Sequence, residues 1–366
     1  GVQVGQAPQR SKVAVDAPRQ DAALPFRYFY VKESGTPEYH RPPSRNEQRA
    51  ARAFAERYRA LLVEDEAKAR AFLQRWADAE PPPPAVVRRV LDRGFYVAGV
   101  RTEVRASRRF LRTLKGTYIK MAKLEERHGS DFHGIELGEA LSLPLAFAVR
   151  AARPMIKRER ADGSIRFRRD SEAAAIARHA VVEGWLRRER IGAHKMHVLS
   201  GDRYLHDWFV AVAEARKPPK VVGPDEVWIH VDRANQVLVL YEGKTPRFVT
   251  LVSTGLPEHE TPVGRFRIRK KFISDTMSAL GPDAGDDRYR IEDVPWTQYF
   301  SGAIALHGAF WHDRFGLQRS HGCVNLAPRD AHTIFNFTQP ELVDGWHGRA
   351  LPPRRQAKGT LVWVTE

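Results

Sequence analysis

The sequence predicts an α+β fold that is mainly β. Short runs of β-branched and aromatic residues recur between Gly, Pro, Asn and Asp turn signals, whereas only two stretches carry helical spacing. A length of 366 residues, with 42% hydrophobic and 10% aromatic residues, is enough for more than one core.

From the N-terminus, residues 1–25 mix Gln, Pro, Ala and Lys without apolar period and read as a tether. Phe26–Val31 is the first strand-like run, and Ser34-Gly35-Thr36-Pro37 is a turn signal. From Asn46 to Ala79 the chain turns to Ala, Arg, Glu and Leu. There Phe54, Tyr58, Leu61, Leu62 and Phe72 fall at approximately helical spacing, which predicts one helix or a helical pair ended by Pro81–Pro84. Leu114-Lys115-Gly116 and Leu199-Ser200-Gly201, each followed by aromatic residues, suggest two related small β units 85 residues apart.

Lys217-Pro218-Pro219-Lys220 is the clearest linker. Beyond it Val227–Val231, Val237–Tyr241 and Phe248–Val252 are β-rich and separated at hairpin lengths. Phe266–Phe272 reads as a fourth strand, with Phe266, Ile268 and Lys270 alternating against Arg267, Arg269 and Lys271. Ala303–Leu306 is a fifth, Ala327–Phe337 is helical, and Leu361–Val364 closes the sheet. The expected domains are a second small β module at 151–220 after a first at 26–150 with its helical insertion, then a C-terminal domain at 221–366.

The net charge of +16 is unevenly placed. Residues 221–366 hold 17 Lys and Arg against 17 Asp and Glu, so the whole excess lies in residues 1–220. A basic half suits an anionic polymer such as nucleic acid, phospholipid or charged wall material. Nucleic acid is not expected, because the arginines come without a nucleic-acid motif. No run approaches the roughly 18 apolar residues of a membrane-spanning helix. Gly1-Val2-Gln3-Val4-Gly5 is no signal peptide, and the missing initiator Met points to trimming of an export signal.

Acyl transfer through a thiol needs a nucleophile, a base and donors for an oxyanion. The single cysteine, Cys323, has no internal disulfide partner and follows a glycine, which lets backbone approach a substrate carbonyl. The amides of Gly322 and Cys323 are the candidate oxyanion donors, and His307, at the end of a strand-like run, is the candidate base. His307, His312, His321 and Cys323 are also zinc-competent, but their spacings of five, nine and two match no zinc template, and neither metal nor cofactor is expected.

His307-Gly308 followed by Ser320-His321-Gly322-Cys323-Val324-Asn325 resembles the signature of the L,D-transpeptidase catalytic domain. Ser253-Thr254-Gly255 and Thr261–Phe266 resemble that family's strand and turn, and the likeness covers about residues 222–366. It implies a β-sandwich-like fold and a cell-envelope location. The implied reaction is on peptidoglycan stem peptides, in which a cysteine acyl-enzyme forms with loss of D-alanine and passes to an amine, or to water in an L,D-carboxypeptidase. A non-catalytic wall-binding scaffold is the other class, which the presence of both His307 and Cys323 disfavours. Carried over, Cys323 is nucleophile and His307 base. The Gly308 carbonyl orients the imidazole, His321, Gly322 and Cys323 surround the oxyanion with Ser320 among the orienting residues, and Asn325 sits near the substrate's third residue. Trp311 and Tyr299 are expected to line the cleft. The 12 residues between His307 and Ser320 form a shorter spacer than the family commonly has. The N-terminal half resembles, more weakly, bacterial Src-homology-3-like wall-binding barrels.

Overall fold

The computed structural model describes residues 17–75, 82–139, 141–280 and 288–366, and the structure is mainly β. Residues 1–16 of the expected tether and 76–79 of the expected helical stretch lie outside the described residues. Two compact units form. One takes residues up to 128 together with 274–294, and the other takes 129–273 with 295–366. Charge balance and the Lys217–Lys220 segment place a boundary at 220, whereas the units part at 128, 273 and 294.

The first unit contains β1 (Arg27–Val31), β2 (Thr36–Tyr39), β3 (Val87–Leu91), β4 (Tyr96–Arg105), β5 (Arg108–Thr113), β6 (Tyr118–Lys120) and β7 (Leu124–Arg127). β1 pairs with β4 and β7, β4 with β5, β5 with β6, and the β2–β3 hairpin joins through β2 to β6. Between β2 and β3 lie helices α1 (Arg45–Glu64) and α2 (Glu66–Gln74). The pair arises because Asp65 ends one helix and caps the next: its N–H donates to the Leu61 carbonyl, while its carboxylate accepts from the amides of Ala67 and Lys68 at 2.8 and 3.2 Å. Ser44 and Glu47 form a capping box at the start of α1. Ala51, Phe54, Ala55 and Tyr58, spaced for one helical face, are buried, and Phe54 stacks on Phe72 with centroids 4.9 Å apart.

Among the described residues of this unit, Glu38 and Glu292 are buried carboxylates. Glu38 is held by Arg88, Arg89 and the Thr117 hydroxyl, and Glu292 by Arg89, Lys115 and Arg290. Burial opposes ionisation of Glu292, but Arg89 and Lys115 outweigh it and hold the carboxyl down at about 2, below its ordinary 4.5. A carboxyl depressed on folding adds stability above its unfolded value and loses it as pH falls through the folded value. Glu292→Gln is therefore expected to cost about 2 kcal/mol at neutral pH. Urea unfolding should show the gap to wild type closing between pH 5 and pH 2.

The second unit opens with β8 (Ile135–Glu136) and then repeats the strand plan of the first. β9 (Leu145–Ala148), β10 (Met155–Glu159), β11 (Ile165–Arg169), β12 (Trp185–Ile191), β13 (His194–Leu199), β14 (Arg203–His206) and β15 (Val210–Ala213) follow in order. β9 pairs with β15, β12 with β13, β13 with β14, and the β10–β11 hairpin joins through β10 to β14. In both copies the last two strands flank a 3-10 turn, Met121–Lys123 or Asp207–Phe209. The repeated glycines, Gly116 and Gly201, take φ of +74° and +70° in the turns, a conformation other residues adopt only with strain.

The remaining elements are β16 (Val227–Asp232), β17 (Val237–Glu242), β18 (Thr245–Leu251), β19 (Gly264–Arg267), β20 (Lys270–Ala279), β21 (Tyr289–Ser301), β22 (Ile304–Gly308), β23 (Val324–Leu326), α3 (Pro328–Phe337), β24 (Gly348–Ala350) and β25 (Leu361–Thr365). A six-stranded sheet runs in the order β19-β25-β16-β17-β18-β8, with β16 and β25 parallel. It is buried on both faces, so its central strands read as nearly continuous apolar runs. Ile229, Val231, Leu238 and Leu240 pack on one side with Leu306, Val324, Ile334 and Phe335 from β22, β23 and α3. Trp228, Val239, Tyr241 and Leu251 pack on the other with Phe147, Val149, Ala211 and Ala213 from the repeat that precedes them.

The expected Phe266–Phe272 strand divides. The Ile268 amide turns to the Thr360 carbonyl and the Arg269 amide to that of Tyr299, and pairing resumes at Lys270 on another neighbour, β24. The break shifts the alternation by one residue, so Lys271 is buried in place of Lys270. Lys271 donates to the carbonyls of Phe335 and Thr338 at 2.5 and 2.8 Å, closing the C-terminal end of α3.

Candidate active site

His307 lies on β22 and Asn325 on β23, directly opposite each other across a parallel pair. His307 and Asn325 share one face of that pair, and Cys323 immediately precedes β23, with its thiol against the Ala303 carbonyl and the Ala305 backbone. Tyr299 of β21 pairs with Ala305 from the other side and joins that face. The sheet thus sets His307 of β22 opposite Asn325 of β23, with Cys323 at the mouth of β23 and Tyr299 on the neighbouring β21.

The motif turn is built around one hydroxyl. Ser320 Oγ donates to the Cys323 carbonyl and accepts from the Gly322 amide at 3.2 Å. Gly322 takes φ of +110°, which accounts for glycine before the cysteine. The Gly322 N–H is therefore turned into the loop rather than toward a substrate oxygen, whereas the Cys323 N–H has no hydrogen-bond partner among the described residues. Thr261 Oγ1 donates to the Gly322 carbonyl at 2.7 Å and accepts from the Gly255 amide at 3.0 Å. The Ser320 amide and carbonyl bond to the Thr254 carbonyl and the Leu256 amide, and Ser253 pairs with Asn325. The Ser253–Gly255 and Thr261 segments therefore cradle the motif. His321 is exposed, with its ring 4.8 Å from that of His259.

His307 is buried, and its Nδ1 lies 3.3 Å from the Gly308 carbonyl. Donation of Nδ1–H to that oxygen leaves Nε2 as the basic atom. Burial pushes the His307 imidazole down to about 4, against the opposing pull of the Gly308 carbonyl. Cys323 is half-buried and its Sγ–H points to the Ala303 carbonyl at 3.9 Å. Burial pushes the thiol up to about 11, opposed by the Ala305 backbone. Both groups are neutral at pH 7, and no hydrogen bond joins them in this resting arrangement.

Trp311 stacks on His307, with centroids 5.6 Å apart and planes inclined by 30°, and packs with the apolar cluster beneath. Asp313, the one carboxylate near His307 in sequence, is paired with Arg178 instead. The short spacer is folded onto the sheet: Phe315 is fully buried, Gly316 bonds to the Val252 carbonyl, and Ser253 Oγ donates to the Arg314 carbonyl.

His312 reads in the sequence only as zinc-competent, and the structure places it against Asn325. Its Nδ1 accepts from the Arg314 amide at 3.2 Å, and burial, aided by Arg319, pushes the ring down to about 3. A neutral ring accepting at Nδ1 must donate at Nε2, which lies 2.9 Å from the Asn325 amide group. The Asn325 oxygen is then the atom facing His312, and the buried NH₂ is directed away from it. This orientation pairs an oxygen that is otherwise buried and unpartnered.

Residues 226–364 match the family model for YkuD, the L,D-transpeptidase catalytic domain. Solved structures similar to the chain include an Enterococcus faecium L,D-transpeptidase, 20% identical over 38% of this chain and 50% of that one, with a TM-score of 0.30. An L,D-transpeptidase from Mycobacterium smegmatis is 16% identical over 58% and 77% of the two chains, with a TM-score of 0.32. L,D-transpeptidase 3 from Mycobacterium tuberculosis is 21% identical over 47% and 78%, with a TM-score of 0.31. This chain spans about half the length of the Enterococcus protein it matches. No curated protein sequence matches it. Residues 226–364 of this chain are a YkuD-type L,D-transpeptidase catalytic domain.

Proposed function

We propose that the chain is a peptidoglycan L,D-transpeptidase working outside the cytoplasm through an acyl-enzyme on Cys323. The observation that carries this reading is the placement of Cys323 at the entry to β23, the strand that pairs in parallel with the β22 strand bearing His307, inside the domain that matches the family. In the first step the thiol, turned from the Ala303 carbonyl, attacks the carbonyl of the third residue of a tetrapeptide stem, at its bond to the terminal D-alanine. His307 Nε2 takes the thiol proton as the C–S bond forms, and the free Cys323 N–H faces the developing oxyanion. Collapse expels D-alanine, whose amine receives the proton from His307. An amine of a second stem then attacks the thioester, giving an amide and restoring the thiol. Ser320 and Gly322 hold the turn, Asn325 directs its NH₂ toward the substrate's third residue, and Trp311 supports the imidazole. The duplicated strand plan with its 3-10 turn supports reading the N-terminal part as Src-homology-3-like barrels that hold the enzyme on the wall.

Incubation with tetrapeptide-bearing wall fragments, followed by mass spectrometry, tests the reaction. Cross-linked dimers that disappear with Cys323→Ala support transpeptidation. Tripeptide alone assigns the same chemistry to water as acceptor, and unchanged substrate overturns both.

A further inference from the structure

A groove of about 690 Å³ runs between α1 and the β2, β5 and β6 strands of the first unit. Its lining is strongly cationic. Arg45, Arg49, Arg52 and Arg59 face it from α1 at helical spacing, and Arg108, Lys120 and Lys123 from the strand side. Its two carboxylates are already engaged, Glu33 with Lys123 at 2.6 Å and Glu56 with Arg52 at 2.8 Å. Arg45, Arg49, Arg108 and Lys120 have no carboxylate partner among the described residues, while Arg59 donates to the Ser34 carbonyl at 3.4 Å beside Glu33 and Glu56. Arg108 is anchored by the Gln48 side chain and the Pro43 carbonyl over the Phe110 ring, yet its Nε is buried without a hydrogen-bond partner. A surface helix with exposed charge ordinarily alternates signs or turns its cations to open water. Here they converge on a concavity.

We propose that this groove binds a linear chain of phosphodiesters that carries no bases. Arginine outnumbers lysine there, and its planar fork suits phosphate oxygens bidentately. From Arg45 to Arg59 the helix rises about 21 Å, long enough for several successive charges rather than one ion. The aromatic lining the groove is Tyr39, at 3% exposure, which offers no face on which a nucleobase could stack. The site also accounts for part of the basic excess of residues 1–220, for which Cys323 chemistry has no use.

The test is a fluorescence-anisotropy titration of the full chain with an end-labelled synthetic glycerol-phosphate oligomer of about eight units, because several phosphates engaged together give a steep salt dependence. Wild-type affinity is expected to fall roughly 10–100-fold between 50 and 200 mM salt. The triple variant Arg45→Gln, Arg49→Gln, Lys120→Gln removes side chains that hold nothing else and is expected to bind about tenfold more weakly, with a shallower salt dependence. A matched variant on the exposed β10–β11 hairpin, Lys157→Gln, Arg166→Gln, Arg168→Gln, should bind as wild type does. Unchanged binding by the groove variant overturns the proposal, and so does an equal loss by the hairpin variant, which would mean diffuse charge. Equal affinity for polyglutamate or oligothymidylate of the same length overturns the phosphodiester assignment. Binding to anionic lipid vesicles in place of the oligomer overturns the linear ligand. Wild-type binding that is indifferent to salt overturns the site without any variant.

Discussion

Replacing Cys323 by alanine is expected to abolish D-alanine release and to remove the stem-peptide adduct from the intact mass of the protein. The chain has one cysteine, so an adduct seen on wild type and absent from the variant identifies the acylated atom without further mapping. The thiol's environment adds a sharper expectation. With burial holding it near 11, the thiolate fraction at pH 8 is about 100-fold below that of an ordinary cysteine. Iodoacetamide should therefore modify Cys323 slowly at pH 8 and accelerate with rising pH up to about 11. A plateau near pH 9 would contradict the buried, neutral thiol.

The second large effect is expected at His307. Because both groups are neutral at rest, the proposed mechanism has His307 accept the proton during attack rather than maintain a standing ion pair. His307→Ala is expected to lower the acylation rate by about 10²–10⁴, and because the ring is buried against Trp311 its loss should also cost about 1–3 kcal/mol of stability. The imidazole is held near 4, so acylation should fall only when pH drops through that value. The check is single-turnover acylation across pH 3–8. An acid limb centred near 6.5 would show that the buried ring titrates as if exposed, contrary to its position in β22. Equal rates for wild type and His307→Ala would remove it from the chemistry altogether.

The motif was legible because the implied chemistry needs particular residue types at adjacent positions, and Ser320–Asn325 is contiguous. The central strands were legible because burial on both faces leaves little but β-branched and large apolar residues in Val227–Val231, Val237–Tyr241 and Phe248–Leu251. β21 was not: Pro295 interrupts it, Glu292 and Asp293 break the apolar pattern, and Asp293 and Trp296 take positive φ, all of which argue locally against a 13-residue strand. The inverted burial of Lys271 over Lys270 follows from a change of pairing partner, which no local pattern records. His312 was hidden for a similar reason: its job depends on where Arg314 and Asn325 meet in space. The charge asymmetry marks a compositional border near 220. The second copy of the repeat nevertheless supplies Phe147, Val149, Ala211 and Ala213 to the C-terminal sheet, so composition and packing divide the chain differently.

The two copies of the repeat differ chiefly in how one hairpin is closed. Residues 160–164 join β10 to β11, while residues 40–86 join β2 to β3, yet both hairpins dock through their first strand in the same way. Loop-closure entropy grows only with the logarithm of length, so the longer connection costs roughly 2 kcal/mol more. Burial of Phe54 and Tyr58 offsets that cost. The hairpin tip is therefore a port at which the chain can acquire new surface without disturbing a single strand register, and the shorter β10–β11 tip is an open position of the same kind.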